Sequence, residues 1–223
     1  MDSWTPDPVN ADIRTEIFRR LAQARPDPES DLLWTSPFEL LIAVILSAQA
    51  TDISVNKATA TLFPVACTPE ALLALGVDGV EPHVRHIGLW RNKAKNVVET
   101  SRLLLERHGG EVPDTRPALE ALPGVGKKTA AVVLNVAFGQ PLIAVDTHVF
   151  RVANRTRIAR GKDPDEVERR LERLVPTAYL ANAHHWLILH GRYTCVARTP
   201  RCAGCCIADL CEYRPKTPGA PAA

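Results

Sequence analysis

The chain reads as an all-α protein. Apolar residues recur at helical spacing, the intervals between helices are short and marked by Gly or Pro, and no convincing pair of alternating strands is found. Ile13, Ile17 and Leu21 stand four residues apart. Pro37 opens a second helix, at a first-turn position where proline is tolerated, and that helix runs to about Ser47. Further helices are expected at 52–63, 69–75, 91–107, 116–121, 127–138, 147–157, 163–174 and 184–194. Gly76, Gly109-Gly110, Pro123-Gly124, Gly139-Gln140-Pro141 and Pro176 separate them. Leu142–Val145 is the best strand candidate and is too short to carry a sheet. The first nine residues, and the Pro- and Ala-rich residues 214–223, are expected to be disordered.

Composition sets outer bounds. The 223 residues are 46% hydrophobic and 23% charged, ordinary for a globular chain able to bury a core. A net charge of +2 is compatible with nucleic acid without pointing to it. The longest apolar run, Leu40–Leu46, falls well short of the ~18 residues that span a bilayer. The N-terminus lacks a basic region and an apolar signal core, so a cytosolic protein is expected. Cytosolic thiols stay reduced, so clustered cysteines read as metal ligands rather than disulfides.

Residues 122–130, Leu-Pro-Gly-Val-Gly-Lys-Lys-Thr-Ala, put a tight glycine turn against a helix start, with Lys128 in the first turn of that helix. The unpartnered N–H groups of such a turn can hold a phosphate. The plainer alternative is an ordinary helix–helix turn with Lys128 as a surface charge. Val132, Val133 and Val136 would anchor the helix in the core. Asp146 follows 18 residues after Lys128, in Ala-Val-Asp-Thr-His. It is expected to cap a helix through the amides of residues 148 and 149. Such a cap can also face a reacting group and move a proton. A lysine amine forms a Schiff base with a sugar aldehyde carbon and a carboxylate shuttles the protons, chemistry that fits a base-losing sugar in nucleic acid.

Five of the six cysteines fall between 195 and 211. Cys195, Cys202, Cys205 and Cys211 give the spacing C-x6-C-x2-C-x5-C, which can surround one metal centre, either zinc or an iron–sulfur cluster. Cys206 could substitute for Cys205, although its place beside Ile207 suggests that it packs. Arg192, Arg198, Arg201, Arg214 and Lys216 surround the cluster, either to contact phosphates or as a solvated surface.

Five motifs in order carry a resemblance to a known family: Ser47-Ala48-Gln49-Ala50-Thr51-Asp52, Ile87-Gly88-Leu89, the 122–130 hairpin, Ala144-Val145-Asp146-Thr147-His148, and His184 to Arg192 running into the four cysteines. Over about residues 30–213 the chain resembles the bacterial endonuclease III family, DNA glycosylases with AP lyase activity in the helix-hairpin-helix superfamily. The resemblance implies two helical lobes with a central cleft. It divides the chain into an N-terminal tail and helix (1–29) packing with the C-terminal lobe, a six-helix domain with the hairpin (30–140), an iron–sulfur domain (141–213) and a disordered tail (214–223).

By the same resemblance, Lys128 and Asp146 match the catalytic pair, and Cys195, Cys202, Cys205 and Cys211 match the ligands of a [4Fe-4S] cluster. Gln49 matches the residue that fills the gap left by an extruded base. Leu89 matches the apolar wedge in the opposite strand, and Glu120 an acidic residue at the pocket entrance. Gly124, Val125, Gly126 and Lys127 match the phosphate-binding hairpin. Read from the residues alone, Gln49 is equally a surface residue between helices, and Leu89 equally a core contact under its loop.

The implied activity is removal of oxidised pyrimidines from double-stranded DNA, then strand cleavage by β-elimination, by a monomeric cytoplasmic enzyme at the nucleoid. Two other readings compete. The related adenine mismatch glycosylase usually lacks the lysine and carries an extra C-terminal domain, whereas this chain ends 12 residues after Cys211. A non-catalytic DNA-binding protein would use the hairpin and a structural metal only.

Overall fold

The computed structural model describes residues 9–28 and 30–217. Ten α-helices and two short 3₁₀ turns make up its regular structure, with no strand among the described residues. The chain divides into two compact units. One is Ser30–Gln140, and the other gathers the described residues up to 28 and from Pro141 onward.

The unit Ser30–Gln140 is built around α2 (Pro37–Ser47), in which every residue from Phe38 to Leu46 is buried. A helix apolar on all sides belongs at the centre of a domain. Its start is fixed by Ser36, whose hydroxyl accepts from the Glu39 N–H at 3.2 Å. The Glu39 carboxylate reaches back to the Thr35 N–H at 2.6 Å. Around it lie α3 (Asp52–Leu62), α4 (Pro69–Val84), α5 (Trp90–His108), α6 (Arg116–Glu120) and α7 (Lys127–Phe138). The C-caps of α5 and α7, Gly109 and Gly139, take the left-handed conformation that closes a helix end (φ 62° and 64°).

The expected boundary of the fourth helix moves. The helix predicted for 69–75 does break at Gly76 (φ 68°, ψ 175°), but helical structure resumes and runs to Val84. Gly79 and Pro82 hide this second piece in the sequence. Burial of Val80 and Val84 outweighs their poor propensity.

The other unit packs α1 (Ala11–Ala24) with α8 (Thr147–Thr156), α9 (Pro164–Leu174) and α10 (Leu180–Tyr193). Its core includes Ile17, Phe18, Val149, Val152, Leu171, Trp186 and Leu187. Side chain-to-backbone bonds join distant segments: Arg14 Nε donates to the Leu174 carbonyl at 2.8 Å, and Trp186 Nε1 to that of Arg25 at 2.8 Å. Helix α10 starts at Leu180, four residues before the expected 184, because a 3₁₀ turn at Thr177–Tyr179 feeds straight into it. Residues 142–145 form no strand; the Ala144 carbonyl is bonded to His184 Nδ1 at 3.0 Å.

At the termini, residues 1–8 and 218–223 lie outside the described residues. The disorder expected at Val9 and at 214–217 is not found. Val9 is buried, and its N–H donates to the Arg157 carbonyl at 3.1 Å. Arg214 donates to the Cys211 carbonyl at 3.0 Å, and the Lys216 ammonium donates to the Ala208 carbonyl. No described helix is long and apolar enough to cross a membrane.

Candidate active site and cysteine centre

The 122–126 turn is pinned from below. Leu122 and Val125 are buried, and the Val125 N–H closes the turn on the Leu122 carbonyl at 3.1 Å. The Thr100 hydroxyl of α5 donates to the Pro123 carbonyl at 3.2 Å. Gly124 sits at φ +77°, and a β-carbon there would lie 2.8 Å from Asn96 Nδ2 and 3.1 Å from Ile45 Cγ2. Both the torsion and the space therefore require glycine. Gly126 differs: its backbone is extended (φ −99°, ψ −179°) and a β-carbon there would meet nothing within 4 Å. It caps α7 without a side chain, so the helix start presents backbone, the chemistry that receives an anion.

Gly124, Gly126, Lys127 and Lys128 are exposed at this turn. Lys128 stands on the first turn of α7, which is held from its inner face by Ala130, Ala131, Val133 and Leu134. The expected anchors Val132 and Val136 are only half-buried. The buried face is rotated from the expected one, because small Ala130 and Ala131 enter the core where the sequence offered larger valines. Glu120, the last residue of α6, is exposed.

Gln49 and Leu89 share an unusual backbone. Both are exposed non-glycine residues in the left-handed region, at φ 54° and φ 59°. Such conformations cost about 1–3 kcal/mol each and concentrate at functional sites. Their loops abut: a β-carbon on Gly88 would lie 3.5 Å from the Gln49 carbonyl oxygen. His86 Nε2 also lies 3.1 Å from the Ser54 carbonyl oxygen, a second tie between the same loops.

Asp146 is the N-cap of α8. Its Oδ1 accepts from the N–H groups of both His148 and Val149, each at 2.8 Å. Both cap bonds use the same oxygen, so Oδ2 carries neither. The half-buried carboxylate thus has one oxygen fixed by the fold and one outside the cap. Lys128 belongs to the unit Ser30–Gln140, and Asp146 and the five cysteines from Cys195 onward to the other.

Cys195, Cys202, Cys205 and Cys211 line one cavity. Cys206 does not line it. It is exposed, which corrects the expectation that it packs; Ile207 turns inward in its place. The Cys205 thiol is pushed up to about 11, first by burial and then by the neighbouring thiols. The Cys211 thiol is raised for the same leading reason. Sulfurs gathered out of water resist ionisation unless a cation joins them. Among the described residues, no three His, Cys, Asp or Glu side chains are grouped to hold a single metal ion.

The loop carrying these thiols is held by two arginines of α8 that the sequence did not single out. Arg151 donates to the carbonyls of Cys195 (2.9 Å) and Gly191 (2.8 Å). Arg155 donates to the carbonyls of Val196 (2.8 Å) and Ala197 (2.6 Å), and its guanidinium lies 4.4 Å from the Tyr213 ring centre. Nothing in the sequence pairs these arginines with partners some 40 residues away. Buried His190 stands 3.8 Å from Cys205 Sγ, its pKa lowered to about 4 by burial and then by Arg25. Of the basic residues expected to surround the cluster, Arg201 and Lys216 line the cavity, Lys216 and Arg214 bond the loop's own carbonyls, and Arg198 is exposed.

A helical protein with a glycine hairpin that bares a helix start, a lysine on it, and a four-thiol cavity elsewhere has the parts of a DNA-repair helix-hairpin-helix protein. Comparison with known proteins agrees. Residues 42–177 match the HhH-GPD superfamily of base excision DNA repair proteins. Endonuclease III of Escherichia coli (strain K12) is 61% identical over 208 residues, covering 93% of this chain and 99% of the relative. Endonuclease III of Haemophilus influenzae (strain ATCC 51907 / DSM 11121 / KW20 / Rd) is 60% identical over the same shares. The structure of a non-covalent endonuclease III–DNA complex superposes with a TM-score of 0.85 at 43% identity, covering 92% of this chain and 96% of that one. A trapped endonuclease III–DNA covalent intermediate, in an estranged-adenine complex, gives 0.82 at 44% identity, covering 89% and 95%. The chain belongs to the HhH-GPD superfamily of base excision DNA repair proteins, within its endonuclease III family. It is an enzyme, a bifunctional DNA glycosylase and AP lyase of base excision repair.

Proposed function

We propose that the substrates are oxidised pyrimidines and abasic sites in double-stranded DNA, and that Lys128 and Asp146 carry the reaction. The observation that carries this reading is Lys128, exposed on the first turn of a helix that no side chain caps. The Lys128 amine attacks the sugar C1′ and the damaged base departs with its electron pair; the C1′–O4′ bond then breaks, O4′ takes a proton, and the opened sugar is held as a C1′ Schiff base. Loss of a C2′ proton then expels the 3′ phosphate by β-elimination. Water finally hydrolyses the Schiff base and returns the amine. Asp146 moves protons through the oxygen that the cap leaves over.

The supporting roles are those the family resemblance implies, and exposure and backbone are compatible with them. The N–H groups of Gly124, Val125 and Gly126, with the charge of Lys127, suit a DNA phosphate. Gln49 fills the gap left by the flipped nucleotide, Leu89 enters the opposite strand, and Glu120 lines the pocket entrance. The strained backbone of Gln49 and Leu89 supports the first two assignments.

The four cysteines would hold a [4Fe-4S] cluster. All four thiols line one cavity, which supports a shared centre, and the family resemblance favours the iron–sulfur cluster over zinc. Such a cluster would supply the positive charge that keeps the thiolates ionised, and it would cross-link residues 195–211. The enzyme would work as a monomer in the cytoplasm, at the nucleoid.

The test is a panel of duplexes, each with one damaged base. Purified enzyme is expected to release oxidised pyrimidines and nick the strand 3′ to the sugar, leaving intact DNA whole. Retarded but uncleaved DNA across the panel would mark a binding protein only.

A further inference from the structure

Ile53 is 85% exposed, more than any other large apolar residue among those described, and it stands beside the loop of Gln49. A single exposed isoleucine is ordinary. Its surroundings are not. Ile53 is on the first turn of α3, next to Ser54, whose carbonyl lies 3.1 Å from the His86 ring. Leu89, 53% exposed, follows Gly88, which abuts the Gln49 carbonyl. Two exposed aliphatic side chains therefore stand on or beside two tied loops, Leu89 at the tip of one and Ile53 on the helix turn that follows the other, each loop holding a non-glycine residue at positive φ.

The charge around them selects the partner. Residues 83–95 contain no Asp or Glu, and Arg85, Arg91 and Lys95 are exposed within them. Lys57 adds an exposed cation on α3, while Asp52 is the one carboxylate in residues 48–54. An apolar pair in a cationic rim fits a polyanion with an apolar interior, which describes stacked bases between phosphates, rather than the apolar face of another protein.

We propose that Ile53 is a second apolar DNA contact, so that Ile53 and Leu89 together form a paired wedge against the minor groove of lesion-bearing duplex. Leu89 enters the stack, and Ile53 packs on the neighbouring sugar and base edge, holding the groove open while the nucleotide leaves. The inference rests on the DNA-binding reading above but not on the chemistry of Lys128.

The test compares wild type with Ile53→Ser, Ile53→Val and, as an exposed apolar control, Val65→Ser (Val65 is 58% exposed). Binding is measured on a duplex carrying a tetrahydrofuran abasic analogue, which cannot form a Schiff base. A 2-aminopurine next to the base opposite the analogue reports unstacking. Ile53→Ser is expected to weaken binding roughly ten-fold and to lower the fluorescence rise. Ile53→Val should stay within about two-fold, since most of the apolar contact remains. Val65→Ser should match wild type. All four should keep the wild-type yield of borohydride adduct at saturating abasic DNA. If Ile53→Ser binds and unstacks like Val65→Ser, the paired wedge is wrong. Loss of its adduct at saturating DNA overturns it equally, by placing Ile53 in folding or chemistry. A wild type that binds the analogue but never forms an adduct overturns the Lys128 reading alone, and leaves Ile53 to be decided by the binding arm.

Discussion

The carbonyl oxygen of Gln49 lies 3.5 Å from where a β-carbon on Gly88 would begin. Two loops 40 residues apart in the chain are thereby placed back to back, each with a left-handed residue at its tip. The strain is local to these two loop tips.

Leu89→Asn separates a binding role from packing. Asparagine tolerates the left-handed region better than leucine, and Leu89 buries little in the free protein. Thermal melts should show stability unchanged or raised by up to about 1 kcal/mol. Affinity for lesion duplex should fall at least several-fold in the same variant. A variant both less stable and equally tight would return Leu89 to the core.

Gly124→Ala tests the hairpin. Its φ of +77° and the 2.8 Å approach to Asn96 Nδ2 should together cost about 2 kcal/mol or more. Denaturant melts measure the loss, and adding Asn96→Ala should restore the steric part and not the torsional part. Gly126→Ala, extended and unobstructed, should cost far less.

Asp146 combines a cap and a carboxylate, and substitution can divide them. Asn keeps an oxygen for the His148 and Val149 amides, so Asp146→Asn should hold stability within about 1 kcal/mol while lowering single-turnover excision by about 10²–10⁴-fold. Asp146→Ala should lose both, with about 1 kcal/mol of stability gone as well. Full activity in the Asn variant would leave Asp146 as a cap only.

The thiols make a contrast between neighbours. Cys205 lines the cavity and Cys206 is exposed. Iron analysis and visible absorption should show Cys206→Ser fully loaded and brown, and Cys205→Ser depleted. Arg155→Ala should load but lose iron faster in air, because the carbonyls of Val196 and Ala197 lose their donor.

Much of this was legible in the residues. Asp146 as a cap follows from an acid before an apolar helical face, and Gly124 from a turn that only glycine can make. What stayed hidden depended on distant contacts. The helix beyond Gly76 is held by Val80 and Val84 against the signals of Gly79 and Pro82. Adjacent cysteines look alike until the fold turns one inward. Arg151 and Arg155 carry no local signal of their role, because their carbonyl partners lie beyond residue 190. No local signal marks Gln49 and Leu89 as left-handed, since leucine and glutamine rarely are.

The central claim is that the Lys128 amine becomes bonded to the sugar. Abasic duplex is incubated with enzyme, reduced with borohydride and digested, and the modified peptide is sequenced by mass spectrometry. The deoxyribose remnant should sit on Lys128, and Lys128→Ala should give no adduct while still binding the duplex. A remnant on Lys127 or elsewhere, or an undiminished adduct in Lys128→Ala, would contradict it.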